Sequence, residues 1–247
     1  MANKAKTGNT QKKAVKTKAS DMFILVLFAY LTLLVQPIVQ YIIQWTPIID
    51  RIPLGDALWS LIMHVVCIAA WTGLALWLMK LSRKECGYEV LEKTEKPEPW
   101  RLATAGGIAA LFVAASVIVD IFIGEEFSLP IAVGGAFDVL RLAVYYIFLA
   151  FNVGMFILVI AFGQKACEVA TGKRRVPWGG IVLGACLTIS KLISGFMNMT
   201  SAEDIPWIIL SAVVSLVCAV LYGTVYKVLG NRTLYAAPFI IIMYIML

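Results

Sequence analysis

Six polar or ionisable residues, within the long apolar stretches of this sequence or just beside one, could carry chemistry. Such residues could bind an ion, bind a polar ligand or pair with one another. A charge surrounded by apolar side chains is costly unless it has a partner, so each of the six is a candidate functional residue. The alternative is a buried ion pair that only fixes helix register, and both interpretations stay open. The six residues are His64, Asp120, Asp138, Arg141, Asn152 and Lys191.

Helical spacing places several of these residues on one face. Asp138 is followed by Arg141, Tyr145 and Asn152 at intervals of three, four and seven residues. These intervals keep all four side chains on one helical face. Asp138 and Arg141 are close enough along such a helix to form an ion pair. For His64 a structural role is favoured, because a neutral imidazole is satisfied by few partners.

Lys191 is the clearest candidate, since it is the one lysine in the middle of an apolar segment. Helical spacing puts Gly184, Thr188 and Gly195 on the same face as Lys191. Small residues on one face favour close packing against a neighbouring helix. The sequence therefore predicts that Lys191 points into a helix bundle rather than at lipid.

Long apolar segments must position these residues. Hydrophobic residues make up 61% of the chain and charged residues only 15%, whereas a typical soluble domain is about 25% charged. Segments of roughly 20 apolar residues can cross a hydrocarbon core, and in lipid they must be helices. The fold class is therefore an all-α membrane protein, a polytopic transmembrane bundle of about seven helices, with six to eight possible because the last segment is short. The predicted segments are 22–43, 57–79, 101–123, 140–162, 179–197, 206–228 and 234–247.

The distribution of Lys and Arg predicts the orientation. Of the 21 basic residues, 18 fall in the N-terminal tail and in alternate gaps between segments. By the positive-inside rule this side is cytoplasmic, so the chain is expected in the cell membrane with its N-terminus inside and, with seven spans, its C-terminus outside. Residues 1–21 are predicted to be a basic, disordered cytoplasmic tail, and 22–247 one multi-pass transmembrane domain. The basic charge reflects topology, so the expected partner is the lipid bilayer and not nucleic acid.

Common catalytic signatures are absent from the sequence. It has no G-x-S-x-G, H-E-x-x-H or P-loop motif, and His64 is its only histidine, so one chain cannot build a zinc site from several histidines. Glu125 and Glu126 form a carboxylate pair, but a short polar loop is the better interpretation. We therefore predict no catalytic residue, no cofactor and no metal site.

Two runs in the second half of the chain and one connector resemble the CPBP family, the CAAX-protease and bacteriocin-processing proteins also called Abi. The runs are IAFGQKACEVATGKRRVPWGGIVLGACLTISKLISGF and LYGTVYKVLGNRTLYAAPF, and the connector is KECGYEVLEKTEKPEPW. The resemblance implies a multi-pass intramembrane protease fold with a Glu-Glu-xxx-Arg motif on one helix and histidines on following helices. Here the glutamate window holds Ala161–Lys165 without a carboxylate, and the histidine window holds Lys191. The resemblance therefore implies a non-catalytic relative.

The function expected from the sequence is binding rather than catalysis. A protein that resembles these proteases without their catalytic residues would bind a lipid, a peptide or a partner membrane protein in an intramembrane cavity. One alternative is a transporter or channel subunit with a polar site around Lys191 in the outer half of the membrane. Another is an active intramembrane protease with divergent motifs.

Overall fold

The structure is a computed structural model that describes residues 18–45, 55–91, 95–123 and 135–246. Within these ranges it contains helices and no strand, as the sequence predicts. Two short 3₁₀ turns, Thr32–Leu34 and Ala202–Asp204, interrupt or precede α-helices. The α-helices are α1 (Ala19–Leu31), α2 (Val35–Trp45), α3 (Asp56–Cys86), α4 (Pro99–Ile123), α5 (Ala136–Thr171), α6 (Trp178–Met197), α7 (Ile205–Val228) and α8 (Thr233–Ile245).

Six helical stretches are long and apolar enough to cross a membrane, so the chain is a multi-pass membrane protein that contacts the lipid bilayer. The first of them, Ala19–Ile42, combines α1, the 3₁₀ turn and most of α2. The seventh predicted segment forms α8, a shorter apolar helix of 13 residues. At about 1.5 Å per residue it is roughly 20 Å long. The described helices therefore fall within the predicted range of six to eight.

Several helices extend beyond the predicted segments. Helix α3 continues to Cys86 and α5 continues to Thr171, where Gly172 ends it with a left-handed φ of 71°. Glycine adopts this conformation without a Cβ penalty and commonly follows the last helical turn. Helix α1 begins at Ala19, slightly before the predicted segment. The remainder of the predicted tail, residues 1–17, lies outside the described residues.

Helix α5 is the centre of the bundle. It packs against α1, α3, α6 and α8. The ten residues from Met155 to Gln164 are all buried, so this part of the helix is covered on every side. A helix that is apolar all round is expected at such a position, since it has no face that must meet solvent. The core therefore surrounds the second half of α5.

Helices α6 and α7 pack closely through glycines. A Cβ built on Gly180 would lie 2.5 Å from the Ala219 carbonyl oxygen, and one built on Gly223 would collide with the backbone of Gly180. Gly184 and Gly195 face α7 in the same way, against Leu216 and Ile208. The small-residue face predicted for this segment is thus a helix–helix contact, as the sequence indicated.

The first span is broken at its middle. Pro37 has no N–H and its ring would clash with the carbonyl four residues earlier. The helix changes to a 3₁₀ turn at Thr32–Leu34 just before it, so the regular hydrogen-bond pattern is already interrupted where the ring would clash. The indole N–H of Trp71 donates to the Thr32 carbonyl oxygen at 2.9 Å. A partner from α3 therefore stabilises the broken turn.

Candidate functional site

A groove of about 750 Å³ lies within the bundle, lined from α1, α2, α5, α6, α7 and α8. We call it the intramembrane groove. Its volume falls in the range of small-molecule sites, about 300–1,000 Å³. Its apolar lining includes Leu33, Leu149, Phe156 and Leu187, and its polar lining includes Tyr30, Gln36, Tyr145, Asn152, Lys191 and Tyr222.

Asn152 lies near the middle of α5 and is 8% exposed. Its Nδ2 donates to Gln36 Oε1 at 3.5 Å, a long hydrogen bond. Gln36 reaches this place because the break before Pro37 redirects the first span. The Oδ1 atom of Asn152 and the hydroxyl of Tyr222 are both buried without a hydrogen-bond partner. Buried polar atoms are rarely left so, which makes these two atoms candidates to bind a ligand.

Lys191 lies on α6, on the side of that helix that faces α7. The side chain is exposed rather than enclosed between helices, and it lines both the intramembrane groove and a smaller depression of about 370 Å³ beside Asp204. It forms no salt bridge with any part of the chain that the structure describes. The adjacent Ser190 hydroxyl is 2.6 Å from Tyr30 Oη, so α1 is tied to α6 next to this lysine.

Asp138 and Arg141 form the ion pair that their spacing predicts. Arg141 Nη1 lies 3.4 Å from Asp138 Oδ1, and the side chains are 22% and 28% exposed, respectively. Neither residue lines the intramembrane groove. Their partial burial and pairing are those of a structural ion pair near the start of α5. The structure therefore does not gather all the predicted polar residues into one cavity.

His64 is buried in an aromatic cluster rather than in the groove. Its ring centroid lies 4.5 Å from that of Phe148 and 5.6 Å from that of Tyr145. Tyr145 also lines the groove, so His64 packs against a residue of the groove wall without lining the groove itself. The side chain of Asp120, on α4, lies outside the described residues. The pair Glu125 and Glu126 also lies outside them.

A second polar network surrounds Glu168 at the other end of α5. Glu168 Oε1 accepts hydrogen bonds from Lys227 Nζ at 2.7 Å and from Gln164 Nε2 at 2.6 Å. The Gln164 side chain is 1% exposed and also accepts the N–H of Gly179 at 3.0 Å. These bonds join α5 to α7 and to the first turn of α6. The network therefore fixes the ends of three helices.

No protein-family model, curated protein or solved structure matches this chain. The resemblance to the CPBP family therefore remains a prediction. What the structure itself establishes is a multi-pass bundle of apolar helices in contact with lipid. A more specific function has to follow from the chemistry of the groove.

The chemistry that the intramembrane groove offers is that of binding. It presents one ammonium group from Lys191, one unpartnered amide oxygen from Asn152 and one unpartnered hydroxyl from Tyr222 against an apolar wall. In the described ranges, no three His, Cys, Asp or Glu side chains are grouped as metal ligands would be. These groups suit a molecule with an acidic head, a hydrogen-bond donor and an apolar tail.

The sequence did not indicate the network around Glu168. In the sequence, Glu168 and Lys227 are charged residues just beyond or at the end of apolar segments, a position common for charges in membrane proteins. The available signal was local, since Gln164 and Glu168 are one helical turn apart at the end of an apolar segment. Their partner Lys227 is 59 residues away from Glu168, and no periodicity predicts that contact.

Proposed function

We propose that this chain is a non-catalytic binding protein of the cell membrane that holds a lipid-like amphiphile in the intramembrane groove. The observation that carries the proposal is the meeting of Lys191 with the buried, unpartnered Asn152 Oδ1 and Tyr222 hydroxyl in one largely apolar groove. Unpaired polar groups in a low-dielectric site are costly, and a ligand that satisfies them would bind there.

The groove suits one chemical type of ligand. An acidic head would form a charge-assisted hydrogen bond with the Lys191 ammonium group. A hydroxyl or amide N–H on the same molecule would donate to Asn152 Oδ1. An acyl chain would lie along Leu149, Phe156 and Leu187, where burial of apolar area stabilises it. A lipid fits these three requirements better than an extended peptide, whose many backbone polar groups would remain unsatisfied.

The resemblance to the CPBP family supports the absence of catalysis in this proposal. In the window where that family would carry its glutamates, Gln164 is occupied by hydrogen bonds to Glu168, Gly179 and the Val176 carbonyl. In the window where a histidine is expected, Lys191 lines the groove. A lysine there can bind an anion, but the paired carboxylate and imidazole that would activate a water have no counterpart in these two windows.

The proposal also includes the orientation. The basic residues of the tail and of alternate connections support a cytoplasmic location for that face and for the N-terminus. Seven crossings would put the C-terminus outside the cell. By the alternation of the helices, Lys191, near the end of α6, then lies in the outer half of the membrane.

The experiment measures binding of a fluorescently labelled long-chain fatty acid to the purified full-length chain. We expect Lys191→Met to weaken binding about tenfold, since a charge-assisted hydrogen bond contributes roughly 1.5–3 kcal/mol. Leu149→Trp should narrow the groove at its apolar wall and weaken binding further. The matched controls are Lys80→Met, an exposed residue of α3 that does not line the groove, and Val213→Trp, an exposed apolar position on α7.

Three results would contradict the proposal. Binding that survives both groove variants would show that the groove is not the site. If Lys191→Met keeps binding and raises thermal stability, Lys191 is only a structural charge. If reconstituted protein carries a solute flux that Lys191→Met abolishes, the transporter alternative replaces the binding proposal.

A further inference from the structure

A second and larger cavity, of about 1160 Å³, lies at the end of the bundle where α5 and α7 end and α4 and α8 begin. We call it the basic cavity. Residues far apart in sequence converge on it, from the connection before α4 to the turn between α7 and α8. Its charged lining comprises six cations and three carboxylates: Lys96, Arg101, Lys165, Arg174, Lys227 and Arg232, with Glu95, Glu98 and Glu168.

Two of the carboxylates are already neutralised by partners. Glu168 is 2.7 Å from Lys227 Nζ, and Glu98 is 3.2 Å from Arg101 Nε. Hydrogen bonds from Arg101 and Trp100 hold the pKa of Glu98 below its ordinary value, so Glu98 remains ionised and bound to them. The third carboxylate, Glu95, is exposed at the entrance. The cavity therefore retains an excess of positive charge.

Two guanidinium groups lie side by side in the wall of this cavity. A Cβ built on Gly230 would be 2.7 Å from Arg232 Nη1 and 3.2 Å from Arg101 Nη1. Gly230 has a left-handed φ of 71°, and the absence of a side chain there lets both groups approach. Two cations so placed repel each other; the Glu98 carboxylate, paired with Arg101, offsets part of this repulsion, and a second anion would offset more of it.

The backbone at the end of α7 holds these guanidinium groups in place. Arg101 Nη1 donates to the Val228 carbonyl at 3.5 Å, and Arg232 Nη1 donates to the Leu229 carbonyl at 3.3 Å. A guanidinium group has five N–H donors, so most of them remain for a ligand. The Nε atom of Arg232 is buried and has no hydrogen-bond partner. The donors are thus both positioned and available.

The start of α8 adds to the positive potential. This helix of 13 residues begins at Thr233, next to Arg232, and no side chain caps its N-terminus. The free N–H groups and the dipole of a helix N-terminus attract anions. The positive-inside rule accounts for basic residues on this face, but it does not require two arginines to converge over a glycine.

We propose that the basic cavity binds the phosphate group of a phosphorylated ligand, with Arg101 and Arg232 as the principal donors. Paired guanidinium groups match the geometry of phosphate oxygens. The ligand is either the headgroup of an acidic lipid or a soluble phosphorylated molecule. Trp100 and Trp178 begin α4 and α6 on this face, at the level where interfacial tryptophans meet lipid headgroups. Basic pockets between helices on the cytoplasmic side are suited to such headgroups.

The test uses the purified full-length chain in phosphatidylcholine nanodiscs. One arm adds phosphatidic acid to the nanodiscs, and a parallel sample receives oleic acid at equal surface charge. Native mass spectrometry counts the lipid molecules that the protein retains. The other arm adds inorganic pyrophosphate and measures its affinity by calorimetry. We expect Arg101→Gln/Arg232→Gln to lower the affinity for at least one phosphate-bearing probe about tenfold or more. The matched control, Arg83→Gln/Arg175→Gln, removes the same charge from positions that do not line the cavity.

The outcomes separate the possibilities. Retention of phosphatidic acid alone identifies a lipid headgroup, and binding of pyrophosphate identifies a soluble phosphorylated ligand. The proposal fails if the cavity variant loses no more affinity than the control. It also fails if the double variant lowers the retention of oleic acid as much as that of phosphatidic acid, because the cavity would then not distinguish a phosphate group from a carboxylate. If the double variant does not fold, Arg174→Gln, an exposed residue of the same cavity, should still lower the affinity.

Discussion

Substituting Gly180 with alanine should separate α6 from α7. The added Cβ would lie 2.5 Å from the Ala219 carbonyl oxygen and 2.9 Å from Gly223 Cα, whereas ordinary Cβ contacts are 3.4–4 Å. The obstructing atoms belong to the backbone, so no side-chain rotation can relieve the overlap. The two helices must therefore move apart by roughly 1 Å, which forfeits a quarter to a half of each close dispersion contact along the seam.

The expected loss of stability follows from this separation. Overpacking a tight contact costs about 1–3 kcal/mol, and a backbone obstruction puts Gly180→Ala toward the upper end. For a chain of 247 residues that corresponds to a midpoint of thermal unfolding lowered by roughly 6–12 °C. Thermal unfolding in detergent, followed by tryptophan fluorescence, measures it. Because Lys191 lies on the same face of α6, Gly180→Ala should also weaken fatty-acid binding in the groove.

The matched control is the same substitution where the structure leaves room. A Cβ on Gly154 of α5 or on Gly73 of α3 would meet nothing within 4 Å. Alanine is favoured over glycine inside a helix by about 1 kcal/mol, so these variants should be as stable as the parent or more so. If Gly180→Ala proves as stable as Gly154→Ala, the close approach of α6 and α7 described here is incorrect.

Two further predictions concern the network at the end of α5. Gln164→Leu should lower the free energy of unfolding by about 1–3 kcal/mol, because it leaves the buried Gly179 N–H without an acceptor. Chemical denaturation measures the change, and an unaltered midpoint would contradict the hydrogen bond. Lys227→Met should destabilise the protein, because it leaves the partly buried Glu168 carboxylate without its cation. Adding Glu168→Gln removes that unpaired charge and should recover part of the lost stability. A double-mutant cycle without coupling would contradict this pair.

Local patterns in the sequence predicted much of the fold. Runs of apolar residues long enough to cross a bilayer predicted the helices. Helical spacing predicted the ion pair between Asp138 and Arg141 and the small-residue face around Gly184. Each of these features depends on residues within a few turns of one another, so periodicity is sufficient to predict it.

Contacts between distant parts of the chain were not predictable in this way. Asn152 meets Gln36 across 116 residues, and Arg101 meets Arg232 over the turn at Gly230. Neither meeting leaves a periodic signal, because each depends on which helices become neighbours. The helix ends were also misjudged, since α5 continues beyond the apolar run to Thr171. The polar residues in its last turns are solvated or paired, so the apolar run in the sequence ends before the helix does.

Within the described residues, the surroundings of Lys191 favour a ligand-binding role over a structural one. Asp138 is paired with Arg141. Asp204, which shares the smaller depression with Lys191, accepts hydrogen bonds from Thr200 and Ser201 through one carboxylate oxygen and forms no salt bridge with the lysine. A structural lysine would be expected to be paired, since the desolvation of an unpaired ammonium group has no compensation. An acidic ligand in the groove would supply that compensation, and for this reason the fatty-acid experiment with Lys191→Met tests the proposed function most directly.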